Sequence, residues 1–217
     1  MSEWRTPEQI LEIGFSRSPV VMVNEFHDGM RRCTRTREIG RRLLPVAHEL
    51  GCRHLAMEAL GGPYVEQPDL AALIADARSL GWTLIPYEDT TARDPRTNDG
   101  GVDWNIVNAR EEGQARNLAA ALPDTSLLVW CGNGHLSKRG GGEFRPMGMC
   151  FRELTGIDHF ALDQTATIVC RDGLVEALRG DLEPLGGTAG KLTSELLPPF
   201  CRDDVDALLF SVDNAVV

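Results

Sequence analysis

The chain has 217 residues, of which 42% are hydrophobic and 25% are charged, and its formal net charge is -10 at pH 7. These values are ordinary for a soluble globular protein with one core. The negative charge argues against nucleic acid as a partner, because phosphate backbones require a basic surface. No apolar run approaches about 18 residues, so we expect no transmembrane helix and no membrane partner.

The amino-terminal residues lack the basic-then-apolar order of a signal peptide. The six cysteines are scattered and include no Cys-x-x-Cys pair. In a chain without a secretion signal, such cysteines are more often reduced thiols than disulfides or zinc ligands. The sequence therefore predicts a cytoplasmic protein and leaves its oligomeric state open.

Strand and helix patterns alternate along the chain. Thr6, Pro7 and Gln9 predict the start of a first helix through a capping box. Short apolar runs predict strands at 19–24, 53–58, 82–87 and 126–131, and amphipathic patterns predict helices at 29–50, 68–80 and 103–121 between them. The pattern predicts a single α/β domain over residues 1–217, with a mostly parallel, doubly wound sheet and flanking helices.

The carboxyl-terminal third is harder to interpret. We expect strands at 160–162, 165–169 and 205–212 and irregular structure over 180–200, which is rich in Gly and Pro. Within the helix predicted at 29–50, Pro45 predicts a kink or a division into two shorter helices. The arginines of this helix predict a solvated face, with the alternative that Arg35 or Arg37 reaches an anionic group of a substrate.

Acids and histidines follow four of the predicted strands directly. These residues are Glu25 and His27 after the first strand, Glu58 after the second, Glu88 after the third and His135 after the fourth. In an open parallel sheet, ligands bind just beyond the carboxyl ends of the strands. We therefore expect one polar pocket, typical of an enzyme, which the loops 89–102 and 138–146 would shape. A loop as long as 89–102 is uncommon in a compact domain and is often functional, for example as a lid over a site.

Four segments together resemble a known superfamily. They are Asn24-Glu25-Phe26-His27-Asp28, Ala56-Met57-Glu58, Arg116-Asn117-Leu118-Ala119 and Gly132-Asn133-Gly134-His135-Leu136. Their order resembles that of the superfamily that joins erythromycin esterases, ChaN-like haem-binding proteins and TIKI/TraB-type metalloproteases, over about residues 19–137. The Glu-x-His spacing is one residue shorter than in the esterases, which favours the ChaN and TIKI side.

One mechanism for this pocket is hydrolysis without a metal. Histidine titrates near neutral pH, so His27 is the candidate general base, and Glu25 or Glu58 would hold its tautomer. Arg116, which the resemblance favours over Arg110, would stabilise the developing oxyanion together with His135. Glu88 is a further candidate acid. The substrate would be an ester, lactone or amide of a small molecule or peptide.

Two alternatives remain open from the sequence. In the first, His27, Glu58 and His135 hold a divalent metal, for which zinc suits the ligand set and the resemblance also allows manganese or cobalt. In the second, the protein binds haem or another ligand without catalysis, as the resemblance to ChaN-like proteins implies.

His27 and Glu58 are expected to act in the same step. They end two strands that follow one another in the sequence and are joined by one helical crossover. Such strands are usually neighbours in the sheet, about 4.8 Å apart.

Overall fold

The computed structural model describes residues 3–28, 31–61, 63–169 and 173–213. The strands are β1 Val20–Glu25, β2 His27–Asp28, β3 Arg31–Arg32, β4 His54–Met57, β5 Thr83–Pro86, β6 Leu127–Gly132, β7 Phe160–Asp163, β8 Thr188–Leu192 and β9 Ala207–Ser211. The helices are α1 Pro7–Arg17, α2 Thr34–Glu49, α3 Pro68–Ser79, α4 Trp104–Ala120, α5 Met147–Thr155, α6 Ala166–Val169 and α7 Leu174–Leu182.

Seven strands form the main sheet in the order β5-β4-β6-β1-β7-β9-β8. All neighbouring pairs are parallel except β8 and β9, and β2 pairs with β3 in a separate antiparallel hairpin. Helices cover both faces of the sheet, so the predicted α/β class with a mostly parallel, doubly wound sheet is confirmed.

The core consists of two layers, one on each face of the sheet. In β1, Val21 and Val23 pack with apolar residues of α1, α2 and α3. Val20 and Met22 pack on the opposite face, with residues of α4, α5 and α7. Because alternate side chains of β1 enter these two apolar layers, neither face of the strand is exposed to solvent or polar. No helix in the described part of the chain combines the length and apolar character needed to cross a bilayer.

The strand order corrects one expectation. β4, which precedes Glu58, is not a neighbour of β1, because β6 lies between them. All six residues of β6 are buried, which suits this central position. Glu58 and His27 therefore approach each other only through β6, and their proximity depends on the residues at the end of that strand.

The carboxyl-terminal predictions were partly wrong. The strand predicted at 165–169 is a helical turn, because Asp163 accepts hydrogen bonds from both the backbone N–H and the hydroxyl of Thr165 and so caps it. The stretch 180–200 contains β8, an antiparallel edge strand. Gly190 is required there, since a Cβ atom would lie 2.6 Å from Leu209. Likewise, α2 continues through Pro45 as one helix.

Candidate functional site

The carboxyl end of β1 carries a buried ion pair. Arg37 of α2 donates to both oxygens of Glu25, from Nε at 2.6 Å and from Nη2 at 2.9 Å, and each residue is less than 5% exposed. Burial alone would raise the pKa of Glu25, but the nearby His27 and the hydrogen bonds from Arg37 outweigh it, so the pKa lies below its ordinary value. Glu25 is therefore a carboxylate at neutral pH.

Other elements converge on the same pair. Trp130 of β6 donates from its indole nitrogen to Glu25 at 3.1 Å, and Arg37 Nη1 reaches Gln67 at 2.6 Å and Asp69 at 3.1 Å. The Trp130 ring has room because α2 carries Gly40, where a Cβ atom would lie 2.5 Å from the ring. The expectation that Arg37 is solvated or reaches a substrate was wrong, since its donors are occupied by protein groups.

A second group of charges joins the ends of β4 and β5 to α4. Arg110 Nη2 lies 2.5 Å from Glu58 and 2.5 Å from Glu88, and its Nε donates to Glu88 at 3.0 Å. Glu58 also accepts from the backbone N–H of Gly132 at 3.2 Å. Burial alone would raise the pKa of Glu58, but the positive charges of His135 and Arg110 lower it to about 2.

His135 lies between two carboxylates. Its Nδ1 is 2.8 Å from Glu111, which also accepts the backbone N–H of Met147 at 2.7 Å, and its Nε2 is 3.8 Å from Glu58. Burial alone would lower the pKa of His135, but the charges of Glu58 and Glu111 raise it to about 9. His135 is therefore an imidazolium at neutral pH. Its Nε2 lies too far from Glu58 for a hydrogen bond.

His27 is the more accessible of the two histidines, with 26% of its side chain exposed. Its Nδ1 lies 3.6 Å from Glu25, and its ring stacks against Tyr64 with centroids 5.9 Å apart. The imidazole also lies directly over Gly132, where a Cβ atom would be 2.2 Å from Cε1 of His27. Only glycine at this position leaves room for the ring.

Asn133 holds the backbone of His27. The Nδ2 of its side chain donates to the backbone carbonyl of His27 at 2.7 Å, and the Oδ1 of the same side chain accepts the backbone N–H of His27 at 3.4 Å. The backbone N–H of Asn133 donates to the carbonyl of Glu25 at 2.9 Å. The turn after β6 thus fixes His27 and His135 relative to each other.

The structure brings together five of the six predicted site residues, namely Glu25, His27, Glu58, Glu88 and His135. Arg116 is not among them. Its side chain is 60% exposed and forms an ion pair with Glu112 at 3.7 Å. The prediction that Arg116 points into the pocket was wrong, because the buried side of α4 is centred on Glu111, Ala115 and Leu118. At 3.6 residues per turn, Arg116 lies on the opposite side of the helix, whereas Arg110 borders the buried side.

Sequence reasoning missed Glu111, and it named Arg37 and Arg110 only as alternatives, without placing them beside Glu25 and Glu58. One signal was present in the sequence for α4, because Glu111, Gln114, Ala115 and Leu118 have the spacing of one helix face. An acid on that face requires a partner, and an arginine at its border could have been preferred to Arg116. For Arg37 we find no such signal, since α2 contains several other arginines at similar spacing.

The predicted metal ligands do not have the arrangement that an ion requires. Among the described residues, no group of three His, Cys, Asp or Glu side chains could hold a metal. Glu58 is bound instead by Arg110, and Nδ1 of His135 by Glu111. A fixed guanidinium at this distance would repel a divalent cation. Binding of zinc, manganese or cobalt stays a prediction that elemental analysis of protein purified without chelator would test.

The loop 89–102, expected to cover the site, borders its Arg110 side. A cleft of about 470 Å³ lies between this loop and α4, and its walls include Glu88, Arg93, Ile106 and Arg110. The polar cluster and this cleft therefore share residues. Closure of the loop over the site stays a prediction.

Comparisons with known proteins identify the fold but no family. No protein-family model and no curated protein matches the sequence. The structure is similar to a solved bacterial protein toxin, with a TM-score of 0.52 and 15% identity over 75% of this chain and 38% of that chain. It is also similar to RRSP, a MARTX toxin effector domain from Vibrio vulnificus CMCP6, with a TM-score of 0.50 and 16% identity over 74% of this chain and 36% of that chain.

A third solved structure, the type III effector HopBA1, has a TM-score of 0.46 and 15% identity over 75% of this chain and 85% of its own. The chain thus spans little more than a third of the two toxin chains, at 38% and 36% of their lengths. At these identities the similarity establishes the fold alone.

These findings correct the resemblance to the erythromycin esterase, ChaN-like and TIKI superfamily, which was wrong. The structures of similar fold are bacterial toxin effector domains, and no family model matches. The four segments are short, and any parallel sheet with acids and histidines at its carboxyl edge would display similar ones. The expectation of haem came from the resemblance and loses that support.

Arg110 should stabilise the fold, whereas Arg116 should not. We expect Arg110→Ala to lower the free energy of unfolding by about 2 kcal/mol or more, because Glu58 and Glu88 would then lack a buried partner. The matched control Arg116→Ala should change it by less than about 0.5 kcal/mol. Urea denaturation measures both values, and equal effects would contradict this assignment of the two arginines.

The raised pKa of His135 should make stability depend on pH. The folded protein binds this proton more tightly than the unfolded chain, so the stabilisation is complete below pH 6.5 and is lost as the pH rises through about 9. We expect the stability difference between the protein and His135→Gln to fall by on the order of 2–3 kcal/mol over that interval. Denaturation curves at pH 6, 8 and 10 test this, and a constant difference would refute it.

Proposed function

We propose that this cluster is the active centre of a hydrolase that cleaves an ester, lactone or amide bond. The observation that carries the proposal is the arrangement of two histidines, each beside a buried carboxylate, on either side of Gly132. Glu25 lies 3.6 Å from His27, and Glu111 lies 2.8 Å from His135. Histidine–carboxylate pairs of this kind serve to move protons during hydrolysis.

His27 is the general base in this proposal. Its ring is the accessible one, so it can take a proton from a water molecule while that water attacks the carbonyl carbon. The carboxylate of Glu25 orients the imidazole and stabilises the imidazolium that forms. Because Arg37 fixes Glu25 by two hydrogen bonds, the orientation of His27 is set before the substrate binds.

His135 supplies positive charge and a proton. As an imidazolium, it can donate a hydrogen bond from Nε2 to the carbonyl oxygen that becomes negative. It then transfers this proton to the leaving alcohol or amine as the bond to carbon breaks. Glu58 and Glu111 stabilise this charge, which accounts for the raised pKa. The proton taken up by His27 replaces the one that His135 has given, and exchange with water restores both residues.

Arg110 has a supporting role in this scheme. Its single positive charge lies between Glu58 and Glu88, which lowers the repulsion between these two carboxylates. The sequence predicts that Arg116 and His135 together stabilise the oxyanion, and in the present proposal His135 does so without Arg116.

The test uses His27→Ala and Glu58→Gln, alone and combined, with a panel of simple methyl esters, lactones and N-acetyl amides followed by acid or amine release. We expect each single variant to lower turnover by about two orders of magnitude or more. Because the two residues act on one step, the double variant should be hardly slower than either. His54→Ala is the matched control, since His54 begins β4 at the opposite end of that strand.

Two results would overturn the proposal. The first is an unmodified protein that hydrolyses no member of the panel above the rate of the buffer. The second is a pair of losses that multiply in the double variant, since Glu58 would then act independently as a partner of Arg110. Circular dichroism of each variant separates loss of activity from loss of fold.

A further inference from the structure

Tyr64 is the aromatic neighbour of the candidate general base, and the chemistry described above gives it no part. It lies in a short 3-10 helix, Pro63–Glu66, between Glu58 and α3. Its half-buried ring stacks on the imidazole of His27, with centroids 5.9 Å apart and an angle of 24° between the two planes. Aromatic rings attract each other in such an offset, nearly parallel arrangement.

The segment that carries Tyr64 is fixed to the ion pair at the end of β1. The backbone carbonyl of Tyr64 accepts the N–H of Gln67 at 3.0 Å, and the side chain of Gln67 accepts from Arg37 at 2.6 Å. Arg37 in turn binds Glu25, the carboxylate beside His27. The Tyr64 side chain also packs on the apolar layer that α1, α2 and α3 form. One network therefore fixes both the carboxylate and the aromatic ring that flank the imidazole.

The contacts of His27 leave one nitrogen for proton transfer. Its Nδ1 lies 3.6 Å from Glu25, its Cε1 lies over Gly132, and the Tyr64 ring covers one of its faces. Rotation of the imidazole about its Cβ–Cγ bond would have to tilt the ring through the position of the tyrosine. The stack therefore resists loss of the orientation in which Nδ1 faces Glu25 and Nε2 is left to take a proton from water.

The stack also favours the charged form of the imidazole. The face of an aromatic ring carries negative potential and attracts a cation within about 6 Å of its centroid. In the proposed reaction, His27 is neutral when the substrate binds and becomes an imidazolium as it takes the proton. An interaction that is stronger in the transition state than in the bound complex raises kcat and leaves KM unchanged.

We propose that Tyr64 is a positioning residue for His27, whose ring holds the imidazole beside Glu25 and stabilises the imidazolium that forms during proton transfer. For its effect on turnover this inference rests on the proposed function, whereas the orientation of the imidazole does not require hydrolysis. Among the described residues, the Tyr64 hydroxyl has no hydrogen-bond partner. The ring and not the hydroxyl is therefore the part that matters.

The kinetic test uses an ester or amide that the unmodified protein hydrolyses. We expect Tyr64→Leu, which keeps an apolar side chain but removes the ring, to lower kcat about fivefold to tenfold, as loss of an aromatic face beside a cation predicts. KM should stay within about twofold. Tyr64→Phe keeps the ring and should retain at least about half of kcat.

The matched control is Val65→Ala. Val65 belongs to the same 3-10 helix and packs on the same apolar layer, so this variant loosens the segment without removing the stack. Its kcat should stay within about twofold of the unmodified value. Circular dichroism verifies the fold of each variant, and Tyr64→Met replaces Tyr64→Leu if the latter unfolds.

A second test does not depend on turnover. The chain has five histidines, so the imidazole proton signals of His27 can be assigned in NMR spectra by their loss in His27→Ala. Because Cε1 of His27 lies over Gly132, its proton should show a strong nuclear Overhauser effect to the α-protons of that glycine. We expect this effect to weaken in Tyr64→Leu and to persist in Tyr64→Phe and Val65→Ala.

The two tests separate this inference from the proposed function. If the Overhauser effect depends on the ring as expected but the unmodified protein hydrolyses nothing, the proposed function is refuted and the positioning of His27 by Tyr64 stands. An Overhauser effect of equal strength in Tyr64→Leu would overturn the inference. So would an unchanged kcat in Tyr64→Leu, or a loss of kcat in Tyr64→Phe as large as that in Tyr64→Leu, when the unmodified protein is active.

Discussion

The two hydrogen bonds between Arg37 and Glu25 are the interaction on which the rest of the site depends. A carboxylate this deeply buried would be costly without a matched cation, and removing Arg37 would leave Glu25 without its guanidinium partner. The pair connects β1, where Glu25 lies, to α2. Through Gln67 and Asp69 it also reaches the start of α3. His27 follows Glu25 by two residues, so its position is a consequence of this pair.

The second determinant is the turn after β6. Gly132, at the end of β6, accommodates the His27 ring and donates to Glu58. In the turn that follows, Asn133 holds the backbone of His27, and His135 lies between two carboxylates. The central strand therefore connects groups that β1 and β4 could not bring together as neighbours. Each charge in this cluster has an opposite charge nearby, which stabilises a polar site in the interior.

The similarity to toxin effector domains concerns the arrangement of the chain and not its chemistry. Parallel sheets place ligands at the carboxyl ends of their strands whatever the reaction, because only there do loops of variable sequence converge. The hydrolytic role proposed for this protein depends instead on the two histidine–carboxylate pairs.

The sequence by itself determined the class of the fold and the edge at which the site lies. The buried apolar runs specify the strands, and Glu25, His27, Glu58, Glu88 and His135 directly follow them, so their placement is a local property. Which strands are neighbours, and which arginine faces inward, were decided only by the tertiary structure. Arg110 and Arg116 lie on one helix with similar local sequence, and only its packing against the sheet distinguishes them. The pairing of Arg37 with Glu25 was equally beyond prediction, because contacts between distant residues leave no periodic signal in a single sequence.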